Sequence, residues 1–232
     1  MKFLTVAAFA TIAQLASAHT TVGWVFVNGK EQGRGDVVPG GYIRKPNNND
    51  PVKDVKSGDI TCNTSKGPNT KNVNVKAGDE VTVEWFHDNR GDDIIADSHK
   101  GPVQVYIAPA QTNGKGNVWV KIASDAYSNG VWATDKLIKN KGKHSFKVPN
   151  VAGGDYIVRA EIIALHEGNR VGGAQFYPSC IQFKVAGGSG KLPAGIALPG
   201  AYSQNDPGIL YDVYQQPLKP YTAPGGPVLI KG

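Results

Sequence analysis

The sequence has little charge, almost no cysteine and no long apolar span. Asp, Glu, Lys and Arg together make up 19% of its 232 residues. The net charge is +6. Its basic residues are spread through loops such as 136–143, with no recognition motif beside them, so the charge reads as a solvated surface and not as a nucleic-acid interface. Cys62 and Cys180 are the only two cysteines, too few for a disulfide-dense mini-domain. No apolar run reaches the roughly 20 residues of a membrane-spanning helix. No internal repeat and no long helical stripe is visible, and no carbohydrate-binding module is expected.

What is present begins with a leader. Lys2, the apolar run 3–15 and the small residues Ala16-Ser17-Ala18 form a secretory signal. Residues 1–18 are therefore expected to be removed, leaving a secreted chain that starts at His19. In an oxidising compartment two cysteines most simply pair. A bridge from Cys62 to Cys180 would close a loop of 118 residues. By chain entropy that is worth about 4–5 kcal/mol.

The periodicity is two. Val81, Val83 and Trp85 alternate with Thr82 and Glu84. The same pattern runs over 103–107, 146–148, 156–163 and 181–185, and 22–27 is a further apolar run. Gly- and Asp-rich turns bound most of these stretches. A short helical turn is expected within 124–138. Short strands with Gly- and Pro-rich connections predict an all-β, antiparallel, immunoglobulin-like or fibronectin-like sandwich with long loops over 19–232. Residues 187–232 are rich in Pro, Gly and Tyr and lack alternation. They read as a long C-terminal loop strapped across the sandwich.

Chemistry is concentrated in five histidines: His19, His87, His99, His144 and His166. A terminal His19 would offer both a free α-amine, with a reference pKa near 8, and an imidazole. One more imidazole gives an ion three nitrogens in a plane, a set that favours Cu(II). His99 precedes a strand, His87 follows one, His144 adjoins a Lys-rich turn and His166 closes the strand that begins at Tyr156. Spacing does not choose among these four.

Ser98-His99-Lys100-Gly101-Pro102-Val103 resembles the second copper-histidine motif of the fungal lytic polysaccharide monooxygenases of auxiliary activity family 9. Leu165-His166 with Gly173-Ala174-Gln175-Phe176-Tyr177-Pro178-Ser179-Cys180 resembles that family's C-terminal active-site motif. Ala194-Gly195-Ile196, Pro199-Gly200-Ala201-Tyr202 and Asp206-Pro207-Gly208-Ile209 resemble its C-terminal loop. The resemblance covers essentially all of 19–232.

The resemblance implies one copper ion held by the amine and imidazole of His19 and by His99, with the Tyr177 phenol near the axial position. His166 and Gln175 would hydrogen-bond the oxygen species. Gln175 and Tyr177, two apart on a strand, would share a face, with Phe176 turned into the core. Cys62 and Cys180 match the family's usual disulfide. Asn63 stands where the family often has Gly, and it creates the N-glycosylation sequon Asn63-Thr64-Ser65. Tyr214, with Tyr42 and Tyr221 as lesser candidates, would offer aromatic surface to a polysaccharide.

The activity implied is oxidative cleavage of cellulose or a related β-1,4-glucan at C1 or C4, using O2 or H2O2 and an external electron donor, by a monomer. Two other readings compete. A glycoside hydrolase would need two carboxyl groups about 5–10 Å apart, for which Asp92, Asp93, Asp97, Glu161 and Glu167 are the nearest candidates. A copper- or carbohydrate-binding sandwich without turnover would not require His166 and Gln175.

Overall fold

Every stretch read as alternating becomes a strand, and the polar stretches between them supply the rest. The computed structural model describes residues 19–64 and 71–232. The expected leader and Ser65 of the sequon lie outside the described residues. In chain order the elements are β1 (Thr21–Val27), β2 (Lys30–Arg34), α1 (Asp59–Cys62), β3 (Val73–Lys76), β4 (Glu80–Phe86), β5 (Val103–Pro109) and β6 (Val120–Asp125). Then follow β7 (Tyr127–Ser128), β8 (Val131–Trp132), α2 (Ala133–Lys139), β9 (Lys143–Lys147), β10 (Gly154–Ala164) and β11 (Gln175–Ala186). The helical turn expected within 124–138 is α2.

One sheet has the order β2-β1-β4-β9 and the other β3-β11-β10-β5-β6. All pairs within these two sheets are antiparallel except β3 with β11, which runs parallel. Alternate side chains of both sheets meet between them: Val22, Val25, Val83 and Trp85 from one, Val105, Val158, Ile162 and Phe183 from the other.

The five-stranded sheet departs from simple alternation. From Tyr156 to Ala164 every residue of β10 is buried. Its second face is covered by a separate apolar cluster. Ile157, Ile163, Phe176 and Tyr106 of the sheet pack there against Val52, Val55 and Ile60 before and in α1, and against Leu198, Tyr202, Ile209 and Tyr211 of the C-terminal segment. Phe176 therefore enters this outer core, whereas Tyr177 enters the core between the sheets.

Polar groups fasten the covering segments. Arg159 and Glu161 are both fully buried and paired. Arg159 also donates to the carbonyls of Ile60 and Thr61, and the Tyr202 hydroxyl donates to Glu161 at 2.7 Å. Lys121 Nζ donates to the carbonyls of Pro224 (2.7 Å) and Gly226 (2.6 Å). Each of these three buried charges is thus met by a partner or by carbonyl dipoles, which offsets the cost of burying it. Cys62 and Cys180 form a disulfide that ties α1 to β11.

Candidate metal centre

Three histidines from distant parts of the sequence meet at one end of the sandwich, and glycines allow the approach. The backbone at Gly101 lies so near β10 that a Cβ there would fall 1.8 Å from the Ile163 carbonyl. Without a side chain, loop 98–102 bonds along the end of β10, with Ile163 N donating to Pro102 O (3.1 Å) and Leu165 N to Lys100 O (2.8 Å). This sets His99 against His166, the second residue after β10. Gly173 plays the same part in the turn that follows, where a Cβ would lie 1.8 Å from the Glu167 carbonyl. That turn returns the chain so that Gln175 pairs with Ala164, beside His166.

The rings of His99 and His166 are stacked, with centroids 3.8 Å apart and 28° between planes. The Tyr177 ring lies 6.4 Å from His99. The Tyr177 hydroxyl donates to Gln175 Oε1 at 2.7 Å. Gln175 Nε2 lies 3.2 Å from His166 Nε2 and 3.3 Å from Glu167 Oε2. His19, at the start of β1, places Nδ1 3.0 Å from Asp50 Oδ1. Its neighbours are fixed to the sandwich: Thr20 Oγ1 donates to Phe86 O, and Val22 N to Ser179 Oγ.

Burial keeps His99, His166 and Tyr177 neutral. Burial, reinforced by the charges of His166 and His19, pushes the His99 pKa down to about 4. Burial also lowers that of His166 and raises that of Tyr177. At neutral pH His99 and His166 are therefore unprotonated bases and Tyr177 a neutral phenol. Glu167 is held ionised, first by its hydrogen bond with Arg170.

The donor set fits a metal that prefers nitrogen. His19 and His99 supply imidazoles, and His99 needs no proton removed before it can bind. A protonated phenol at Tyr177 is a weak donor at most. His166 Nδ1 is buried with no hydrogen-bond partner in the protein, an orphaned polar atom of the kind that bound groups satisfy.

The other histidines lie elsewhere. His87 Nδ1 pairs with Asp93 at 2.9 Å. The cluster His87, Asp92 and Asp93 is a loop closure, because Asp92 accepts from the backbone N–H groups of His87, Asp88, Asn89 and Ile94. Four such bonds fill a carboxylate's lone pairs. His144 sits in β9, paired with Val83 of β4.

Two expected surface aromatics prove to be packing residues. Tyr42 is buried, and its hydroxyl donates to Gly33 O while accepting from Val25 N. Tyr221 stacks edgewise on Trp132 and Tyr211, each centroid 4.9 Å away, and its hydroxyl bonds Gly208 O. In both cases a hydroxyl within reach of a carbonyl makes burial of the large ring favourable. Tyr214 is 60% exposed.

Asn63 is likewise not a free surface amide: it is buried and donates to Asp50 O at 3.3 Å. Among the hydrolase candidates, Glu161 is buried against Arg159 and Asp92 is committed to its loop, so neither can flank a glycosidic bond. Sequence reasoning missed Asp50, the partner of His19. It lies in a polar turn, Asn47-Asn48-Asn49-Asp50-Pro51, that carries no motif.

Fold and site together define a β-sandwich protein with a cluster of three histidines at one end. The family model for Auxiliary Activity family 9 (formerly GH61) matches residues 19–221, and the chain belongs to that family. It is 54% identical over 221 residues to an AA9 family lytic polysaccharide monooxygenase A of Aspergillus flavus, covering 94% of this chain and 60% of that protein. The chain thus spans about 60% of the length of such a curated relative. Among solved structures it resembles CvAA9A (41% identity, TM-score 0.85, 90% of this chain and 97% of that one). It also resembles a cellulose-active polysaccharide monooxygenase from M. thermophila (27% identity, TM-score 0.77, 92% and 100%).

Proposed function

We propose that this chain, freed of residues 1–18 and secreted, is a copper-dependent polysaccharide monooxygenase acting on β-1,4-glucan, with cellulose as its first substrate. The observation that carries the reading is the stacked pair His99 and His166 with Gln175 and Tyr177 bonded behind it. A binding site alone has no use for that second row of polar groups.

In this reading His19, through its amine and imidazole, and His99 would hold one copper ion, with the Tyr177 phenol close by as a weak donor. When bound and reduced by an external donor, copper supplies the redox chemistry that lets O2 or H2O2 oxidise a C–H bond at C1 or C4 of the glucan. The protein's part is to position and to donate. Glu167 accepts a hydrogen bond from Gln175 Nε2, and Tyr177 donates to Gln175 Oε1, which fixes the orientation of the amide. Gln175 Nε2 is a donor only, so His166 Nε2 accepts from it. The proton of neutral His166 therefore sits on Nδ1, the nitrogen with no protein partner. This leaves an N–H donor for a bound oxygen ligand, its tautomer set by a neighbour. His19 Nδ1, which lies 3.0 Å from Asp50 Oδ1 in the metal-free chain, is the ring nitrogen that would close a chelate with the amine, so the ion would displace that contact. Tyr214 offers a flat exposed ring for a sugar face. The partners are the glucan and a small or protein reductant. Among the described residues no helix is long and apolar enough to cross a bilayer. The working form is a monomer.

The test uses protein beginning at His19, loaded with one equivalent of Cu(II) and given a reductant and cellulose. Mass spectrometry of the soluble products should show oxidised chain ends. Plain reducing ends would replace this reading with a hydrolase, and tight copper binding without products would leave a non-catalytic sandwich.

A further inference from the structure

Arg44 is a buried cation without an opposite charge. It is 5% exposed, and its backbone N–H donates to Cys180 O at 2.8 Å. Nη1 donates to Asn113 Oδ1 at 2.7 Å, and Nε has no partner. Among the described residues no Asp or Glu pairs with it. The contrast is Arg159, fully buried and held by Glu161. A guanidinium stays protonated in a protein, so its buried charge calls for a counter-charge from elsewhere.

Arg44 lines an open cavity of about 510 Å³ together with Thr61, Thr64, Asn113, Lys115 and Leu198. Among the described residues no acidic one lines this cavity. Lys115 is exposed at its rim. The cavity lies beside Cys180, five residues along β11 from Gln175, or roughly 16 Å at strand rise. It is separate from the histidine cluster and independent of copper.

We propose that this cavity binds a small oxyanion, with Arg44 as its principal contact and Lys115 at the rim. The volume exceeds that of a bare anion and falls in the range of small-molecule sites. A sugar-sized ligand bearing a carboxylate, such as a uronic acid, fits best. Its carboxylate matches the fork of N–H donors on a guanidinium. Free phosphate shares the same oxyanion chemistry.

Calorimetric titration of the metal-free protein with glucuronate, inorganic phosphate and glucose tests the site. Glucuronate should bind, glucose should not, and affinity should fall with salt. Arg44→Gln should weaken glucuronate binding roughly tenfold or more, the worth of a charge-assisted hydrogen bond. Phosphate binding at least as tightly as glucuronate, with the same loss in Arg44→Gln, supports the site and assigns it to the free anion. Binding of neither anion, or equal binding by Arg44→Gln, overturns the proposal. Should Arg44→Gln fail to fold, Lys115→Glu reverses the exposed rim charge without touching the core. Its Kd must then rise several-fold, and an unchanged Kd overturns the proposal.

Discussion

His166 lies face to face with His99, ring centroids 3.8 Å apart, and it bonds through Nε2 to Gln175. The two imidazoles share one buried space but have different partners. His166→Ala removes the Nδ1–H donor and leaves His19 and His99 in place. The variant should still bind one copper ion, while oxidised product forms on the order of 10–100-fold more slowly. Copper stoichiometry and product rate, measured on the same preparation, check this. Loss of copper binding would instead make His166 a ligand.

Acid should destabilise the metal-free protein earlier than its carboxylates alone would. The His99 pKa is pushed down to about 4 from an unfolded value of 6.5. Between these values the unfolded chain takes up a proton that the folded chain refuses. Stability is then complete above pH 6.5 and is lost as pH falls toward 4, by about 3 kcal/mol from this group. His166 and His144, also lowered, add in the same direction. Urea midpoints measured from pH 7 to 4.5 should fall, and the fall should be shallower in His99→Gln.

The sequon at Asn63 should be empty. Asn63 adopts φ 51° at the end of α1, and its buried side-chain nitrogen is spent on the Asp50 carbonyl. A glycan on that nitrogen would need room that the 8% exposed side chain lacks. Intact mass of the secreted protein should be unchanged by peptide N-glycosidase treatment; a mass loss of one N-glycan would refute this.

Replacing both Cys62 and Cys180 by Ala frees a loop of 118 residues. The loss should be about 4 kcal/mol on the chain-entropy account. For a chain of this size that lowers Tm by roughly 10 °C. Scanning calorimetry of the double variant against the parent gives the number.

Much of the fold is legible in the sequence because the pleat of a strand writes a period of two into its residues. An apolar run marked β1, and that signal marked β4, β5, β9, β10 and β11. It failed for β2, Lys30–Arg34, whose five residues are all exposed and carry no apolar pattern. It failed for β3, four residues long, which joins the sheet by parallel pairing with β11. In β6 it was interrupted by Lys121, a charged residue buried so that it can hold two carbonyls of the C-terminal segment.

The sequence by itself determined which residues are candidates for chemistry: a histidine behind an expected leader, a Ser-His-Lys-Gly-Pro-Val loop, and a Gln-Phe-Tyr strand of fixed facing. Local backbone geometry decides such things, and it travels with the chain. Tertiary structure alone decided which histidines meet, since 80 positions separate His19 from His99 and only sheet pairing and the Gly101 contact bring the second to His166. It alone decided that Tyr42 and Tyr221 are packed while Tyr214 is exposed, that Asp50 lies against His19, and that Arg44 has no counter-charge among the described residues. Burial and pairing are properties of what lies across the fold, and no residue's own neighbourhood in sequence records them.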